Sequence, residues 1–232
     1  MKVLVTGVTG QLGYDIVKVL SKRHIDHVGV SRADFDITDE MAVKESILSY
    51  CPDIVIHCSA YTAVDKAEEE PLLCEMVNEK GTYFIAEACK EIDAKMMYIS
   101  TDYVFPGIGE AEYEIYDLTG PLNVYGRTKL AGEQAVKELL YKYFIVRVSW
   151  VCGINGNNFV KTMLRIGKER KEVNVVYDQI GSPTYTVDLA ELLCDMIITD
   201  KYGIYHATNE GYCSWAEFAE EIFMLAGYST RV

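Results

Sequence analysis
At 232 residues, half of them hydrophobic, the chain has enough material for one large core or for a domain with a small lobe. No apolar run reaches the roughly 18 residues of a membrane span, and Lys2–Thr6 enters a strand pattern without the basic and apolar regions of a signal peptide. The formal net charge of -13 disfavours nonspecific binding to nucleic acid or anionic lipid, and seven scattered cysteines without a C-x-x-C read as reduced thiols of a cytoplasmic protein.

In chain order, the apolar strand Val3–Thr6 leads through Gly7-Val8-Thr9-Gly10-Gln11-Leu12-Gly13 into a helix from about Gln11 to Lys22. Glycines at that junction let the backbone turn tightly and approach a pyrophosphate, which a helix N-terminus attracts. The spacing is G-x-x-G-x-x-G, so the commoner dinucleotide fingerprint is not matched literally. Gly7, Gly10, Gln11, Leu12 and Gly13 are the candidate phosphate-binding residues. A strand near His27–Val30 ends in Ser31-Arg32. That hydroxyl and guanidinium suit the 2′-phosphate of NADPH, whereas an NAD site usually presents an acid there; an exposed arginine on an ordinary turn is the alternative. Asp36 and Ile37 follow as residues to flank an adenine.

A helix near Asp39–Ser49 precedes the run Ile54–Cys58, and Ala60, Tyr61 and Thr62 then fall where the carboxyl edge of a sheet meets a cofactor. A helix over Leu72–Glu91, the strand Lys95–Ser100, a helix over Val124–Lys142 and the strand Phe144–Val148 follow. This β-α alternation predicts an α/β fold with a parallel sheet covered on both faces. Beyond Trp150 the reading is of short strands at Val173–Tyr177 and Ile204–Ala207, with helices at Thr186–Ile198 and Ser214–Ala226. The last of these opens on a Ser214-x-x-Glu217 capping box.

Within the helix from Val124, Tyr125 and Lys129 stand four residues apart and share a face. An ammonium beside a phenol lowers the tyrosine pKa and suits proton transfer. Thr101, at the end of the preceding strand, offers a hydroxyl to hold a substrate oxygen. Trp150 offers a flat apolar face.

Thr6–Gly13, Ala60–Glu68, Ser100–Phe105, Pro121–Glu133, Arg147–Trp150, Asn157–Val160 and Asp178–Thr184 run through nearly the whole chain in one order. Together they resemble the extended short-chain dehydrogenase/reductases and, within them, the dTDP-4-dehydrorhamnose reductase family. The resemblance implies a Rossmann-like doubly wound parallel sheet over residues 1–150. A small C-terminal substrate lobe over 151–232 would be interleaved with it and incomplete, because chains of the family usually run on past the Ser214 helix.

The resemblance also implies a hydride transfer from NADPH, with NADH the alternative, to C4 of a dTDP-4-keto-6-deoxy-L-sugar. Tyr125 would donate the proton, Lys129 would hold the nicotinamide ribose, and Thr101, Asp102, Tyr103 and Trp150 would meet the substrate. Related dehydratases carry an Asp-Glu pair after the threonine; Tyr103 at the second position favours simple reduction. Gln179 and Arg147 are weaker pocket candidates, each equally able to satisfy a carbonyl or an acid. A homodimer is compatible with the family. Some relatives bind Mg2+ through acids at such a contact, but Asp15 and Asp188 read as ordinary solvated acids and no metal site is expected. Two rival readings are a non-catalytic nucleotide-binding regulator resembling the methionine adenosyltransferase regulatory subunit and another nucleotide-sugar reductase or epimerase.

Overall fold
Along β1 (Lys2–Thr6) the side chains alternate between two cores: Val3 and Val5 enter one, Leu4 the other. The same period-two division recurs in β3 (Ile54–His57), β4 (Lys95–Thr101) and β5 (Tyr143–Val148), so these strands are apolar on both faces because both faces are covered. With β2 (Asp26–Val30) and β9 (Gly203–His206) they form a six-stranded parallel sheet in the order β2-β1-β3-β4-β5-β9. The winding reverses between β1 and β3, which opens a crevice at the carboxyl ends of those two strands. The computed structural model describes residues 1–232.

One face is covered by α1 (Gln11–Lys22) and α8 (Thr186–Met196), through Leu12, Ile16 and Leu20 on the first and Leu189 and Leu193 on the second. The other is covered by α2 (Glu40–Tyr50), α5 (Gly81–Glu91) and α6 (Val124–Leu139), through Val43, Ile47, Ile85 and Val136. No helix is long and apolar enough to cross a membrane. After β5 the chain passes through Trp150, a non-glycine residue at φ 47°, into a lobe built on α7 (Phe159–Glu169) and α9 (Trp215–Leu225). Met163, Val173, Ala219, Ile222 and Phe223 form the lobe's own small core. Two short ribbons edge it, β6 (Val151–Cys152) with β8 (Thr184–Tyr185) and β7 (Ile180–Gly181) with β10 (Cys213–Ser214). Residues 151–232 thus serve two structures, because α8 and β9 return to the sheet while α7 and α9 do not.

Four local expectations change. The helix foreseen over 72–91 is α4 (Pro71–Glu75) and α5 joined by a π turn, Met76–Lys80. The helix from Val124 stops at Leu139, because Leu140 takes extended dihedrals that feed the chain into β5. Val173–Tyr177 pairs with no strand; Val173 N–H instead reaches Arg231 O (2.9 Å) and Val176 O receives Ala216 N–H (3.0 Å). Two helices were not foreseen: α7, capped by Asn158, and the single turn α3 (Val64–Ala67).

Candidate active site
The glycine loop lies at the crevice. Gly7 sits at φ 73°, and a Cβ on it would fall 2.8 Å from Ser59 N; a Cβ on Gly13 would fall 2.5 Å from Gly7 O. Only glycine fits at either position, so α1 can start directly against the end of β1. Whereas α2, α6, α7 and α9 each receive a side-chain cap from Asp39, Asn123, Asn158 or Ser214, α1 starts at Gly10 with neither a side-chain cap nor an acid in its first turn. Its leading N–H groups and positive dipole end therefore remain available to an anion. This geometry fits a dinucleotide pyrophosphate. The Leu12 side chain is buried in the core, so only its backbone is open to a ligand there.

At the end of β2, Ser31 donates to Asp34 Oδ2 (2.9 Å) and the exposed Arg32 pairs with Asp36 (2.9 Å). Asp36 also receives the N–H and hydroxyl of Thr38, and the Thr38 N–H bond is the main reason its carboxyl sits below the usual range. Ile37 packs against Gly81. After β3, Ala60, Tyr61 and Thr62 form a loop fixed by Asn78, a buried residue of the π turn. Asn78 Oδ1 accepts Tyr61 N–H (2.8 Å), while its Nδ2 donates to Tyr61 O (3.1 Å) and to Thr128 Oγ1 (3.2 Å) on α6.

Thr101 ends β4 and is buried; its hydroxyl accepts Tyr103 N–H (3.2 Å) and donates to Asp102 Oδ1 (3.0 Å). Burial pushes the Asp102 carboxyl up to about 6, against the Thr101 bond. Asn123 caps α6 through Gly126 N–H (2.7 Å) and so fixes the rotation of its first turn. Tyr125 is buried there, edge-on to Tyr103 with ring centroids 5.6 Å apart. One turn later, Lys129 is 2% exposed: its Nζ donates to Ile99 O (2.7 Å) and lies 4.0 Å from the centre of the Tyr98 ring. Thr101 and Tyr125 are thus neighbours at the carboxyl edge of the sheet, and Lys129 lies one turn further along α6 with its ammonium held on β4.

The electrostatics of the pair are the reverse of the sequence expectation. Burial raises the Tyr125 phenol well above its ordinary value, opposed by the nearby Thr101 hydroxyl, and Lys129 is not among the groups that move it. Burial also lowers Lys129 to about 7, with Glu133 drawing it back up. In a shared low-dielectric site the cost of desolvating each charged form exceeds the mutual effect foreseen from their spacing.

Sequence reasoning missed three groups. His57 stands between Thr6 Oγ1 (2.8 Å, at Nδ1) and Thr82 Oγ1 (3.2 Å, at Nε2). Because Thr82 donates to Asn78 O (2.7 Å), the His57 proton belongs on Nε2, and burial holds the ring neutral with a pKa pushed down to about 3. Asn78 is the second. The third is Glu133, whose carboxylate takes both Arg147 Nε (2.8 Å) and Nη2 (2.7 Å) together with the Ser100 hydroxyl (2.6 Å). A polar residue closing the run Ile54-Val55-Ile56-His57 was the one visible signal for His57.

Arg147 is thereby committed to Glu133, and Gln179 lies exposed in the lobe. Trp150 stacks on Trp215 at 3.5 Å and packs against Gly181, where a Cβ would lie 2.6 Å from its ring. Asp15 accepts from Thr186 (2.6 Å) and Asp188 from Asn209 (2.8 Å), each a structural bond of α8 or its surroundings.

A doubly wound sheet with a glycine loop at its winding reversal and a Thr–Tyr–Lys cluster beside it defines a nucleotide-binding α/β protein of the short-chain dehydrogenase/reductase type. The chain belongs to the family described as the RmlD substrate binding domain, whose model matches residues 1–232. It is 44% identical over 230 residues to a dTDP-4-dehydrorhamnose reductase of Streptomyces griseus, covering 97% of this chain and 76% of that one. Two crystal structures of dTDP-4-dehydrorhamnose reductases superpose over 100% of this chain and 82% of theirs. The one from Clostridium acetobutylicum has a TM-score of 0.97 at 44% identity; the one from Bacillus anthracis, solved in complex with NADP, has 0.96 at 47%.

Proposed function
We propose that this chain reduces dTDP-4-dehydro-β-L-rhamnose to dTDP-L-rhamnose with NADPH as reductant. The observation that carries the reading is the buried Thr101, Tyr125 and Lys129 set, placed beside a glycine loop whose helix start is uncapped. The reductase relatives, and the NADP bound to one of them, support it.

When bound, the reduced nicotinamide supplies a hydride to the C4 carbonyl carbon. Gly7, Gly10 and Gly13, with the backbone of Gln11 and Leu12, take the pyrophosphate. Ser31 and Arg32 take the 2′-phosphate, with Arg32 exchanging its exposed partner Asp36 for it, and Asp36 and Ile37 flank the adenine. Ala60, Tyr61 and Thr62 line the cofactor, and Lys129 holds the nicotinamide ribose. Tyr125 gives its proton to the C4 oxygen; its raised pKa keeps the phenol in the protonated form a donor needs. Thr101 turns its hydroxyl from Asp102 to the same oxygen. Asp102, Tyr103 and the free edge of Trp150 contact the sugar. Tyr103 stands where elimination of water would need a second carboxylate, so the site favours reduction. Seven free cysteines accord with a reducing compartment, and we place the reaction in the cytoplasm.

The test is to mix the chain with NADPH or NADH and dTDP-4-dehydrorhamnose and to follow loss of the reduced-nicotinamide absorbance. Failure to oxidise either cofactor while still binding it would overturn the reading. Tyr125→Phe should lower kcat by about 10²–10⁴-fold and leave NADPH affinity within about twofold; near-normal turnover would remove Tyr125 as the donor.

A further inference from the structure
Gln11 stands in the phosphate loop, yet its side chain is spent on the lobe. Its Oε1 accepts Gly153 N–H (2.9 Å) and Asn158 Nδ2–H (2.8 Å), and its Nε2 donates to Val151 O (3.4 Å). From the other side, Asn155 Nδ2 donates to Thr9 O (2.9 Å) and Gly10 O (3.1 Å). Asn158 closes the set: its Nδ2 also reaches Gly153 O (2.8 Å), and its Oδ1 caps α7 through Lys161 N–H (3.0 Å). Gly156, at φ 70°, lets the segment lie close, since a Cβ there would fall 3.2 Å from Gln11 Cγ. The bonds of Gln11 and Asn155 join residues 140 to 147 positions apart in the chain.

The chemistry of the peptide unit makes this arrangement directional. The Gly10–Gln11 unit belongs to the α1 N-terminus through its N–H and offers its C=O to Asn155. An anion that fixes the N–H fixes the plane of the unit and hence the position of the carbonyl. Asn155, Gln11 and Asn158 then carry that order to the first turn of α7, more than a hundred residues along the chain.

We infer that Gln11, Asn155 and Asn158 are positioning residues forming a latch through which dinucleotide binding at the phosphate loop orders residues 151–161 and the start of α7. The inference rests on the cofactor reading given above and adds to it: the loop that holds the dinucleotide also readies the lobe that takes the second substrate.

The test is hydrogen exchange read by mass spectrometry on the full chain, with and without saturating NADPH, for the unaltered protein, Asn155→Ala and Gln11→Ala. Asn155 is partly exposed and lies outside the hydrophobic cores, so its truncation opens none of them. In the unaltered protein NADPH should slow exchange both at residues 7–13 and, by about tenfold, at residues 151–161. In Asn155→Ala the slowing at 7–13 should persist and that at 151–161 should be lost, with Gln11→Ala giving the same loss at 151–161. Unchanged exchange at 151–161 in the unaltered protein, or full slowing there in both variants, would overturn the latch. Absence of any NADPH effect at 7–13 in the unaltered protein would overturn the cofactor reading itself, and the latch with it.

Discussion

The Thr101 hydroxyl has a single proton, and it lies on Asp102. The sugar oxygen proposed to bind Thr101 would therefore compete with a carboxylate for it, and the charge on Asp102 would set how hard that competition is. Burial pushes Asp102 up to about 6, from an ordinary value near 3.8. Between about pH 4 and 6 the folded chain keeps a proton that the unfolded chain has released. The contribution of this carboxyl to stability thus falls as pH rises through that window and is least favourable above it. Asp102→Asn, which keeps an acceptor for Thr101, should raise the unfolding free energy by about 1–3 kcal/mol at pH 7.5 and leave it nearly unchanged near pH 4, as read by urea denaturation. A loss of stability at pH 7.5 would mean that the ionised form is the better satisfied one. The identities of Thr101, Tyr125 and Lys129 were legible in the sequence, because strand ends and helix spacing are local properties. Their protonation was not, because desolvation depends on which distant segments bury each group.

At the level of elements, α6 is registered against the sheet by a buried ion pair. Glu133 and Arg147, 0% and 4% exposed at their side chains, join α6 to β5, and Ser100 ties the same carboxylate to β4. Lys129 stands one turn before Glu133, so the pair fixes both the height and the rotation of the residues that reach the cleft. Glu133→Gln removes one charge and leaves Arg147 buried without its counter-ion, which should cost about 3–5 kcal/mol of stability. The double variant Glu133→Leu/Arg147→Met should recover most of that loss in denaturant melts. If the single and double variants melt alike, the pair is not coupled. Element existence was legible wherever apolar residues alternate in strands buried on two faces, as in Ile54–His57 and Phe144–Val148. It failed at α7 although Phe159, Val160, Met163 and Leu164 recur at helical spacing opposite Lys161, Arg165 and Lys168, because the stretch before them is rich in glycine and asparagine and hides the start. Asn158 was the available signal, being a capping residue just ahead of Phe159. Asn78 was illegible for another reason: its aim depends on a π turn, which no periodicity announces.

Across the whole molecule, a formal charge of -13 surrounds a site proposed for two anionic ligands. Attraction at the loop is local, from α1 and Arg32, whereas repulsion from the remaining acids acts at longer range and is screened first by salt. Raising ionic strength from about 20 to about 200 mM should therefore raise the NADPH association rate constant by about two- to fivefold, measured by stopped-flow NADPH fluorescence. A rate that falls with salt would mean that a local positive field steers the ligand despite the net charge. The division of the chain was only partly legible. Composition hardly changes at residue 150, while β9 and α8 rejoin the sheet through pairings more than fifty residues distant, such as Ile145 with Ile204. Such long-range pairings leave no mark in any local window.

The π turn at Met76–Lys80 makes residue count, as well as residue identity, a property of the site. A π turn is an α-helical turn carrying one residue too many, and each helical residue advances the side chains by about 100°. Losing a single residue between Cys74 and Lys80 would smooth the helix and swing Asn78 away from Tyr61 and Thr128. The irregularity is thus a length standard: a chain one residue shorter here would gain a better helix and lose the fastening of its cofactor loop.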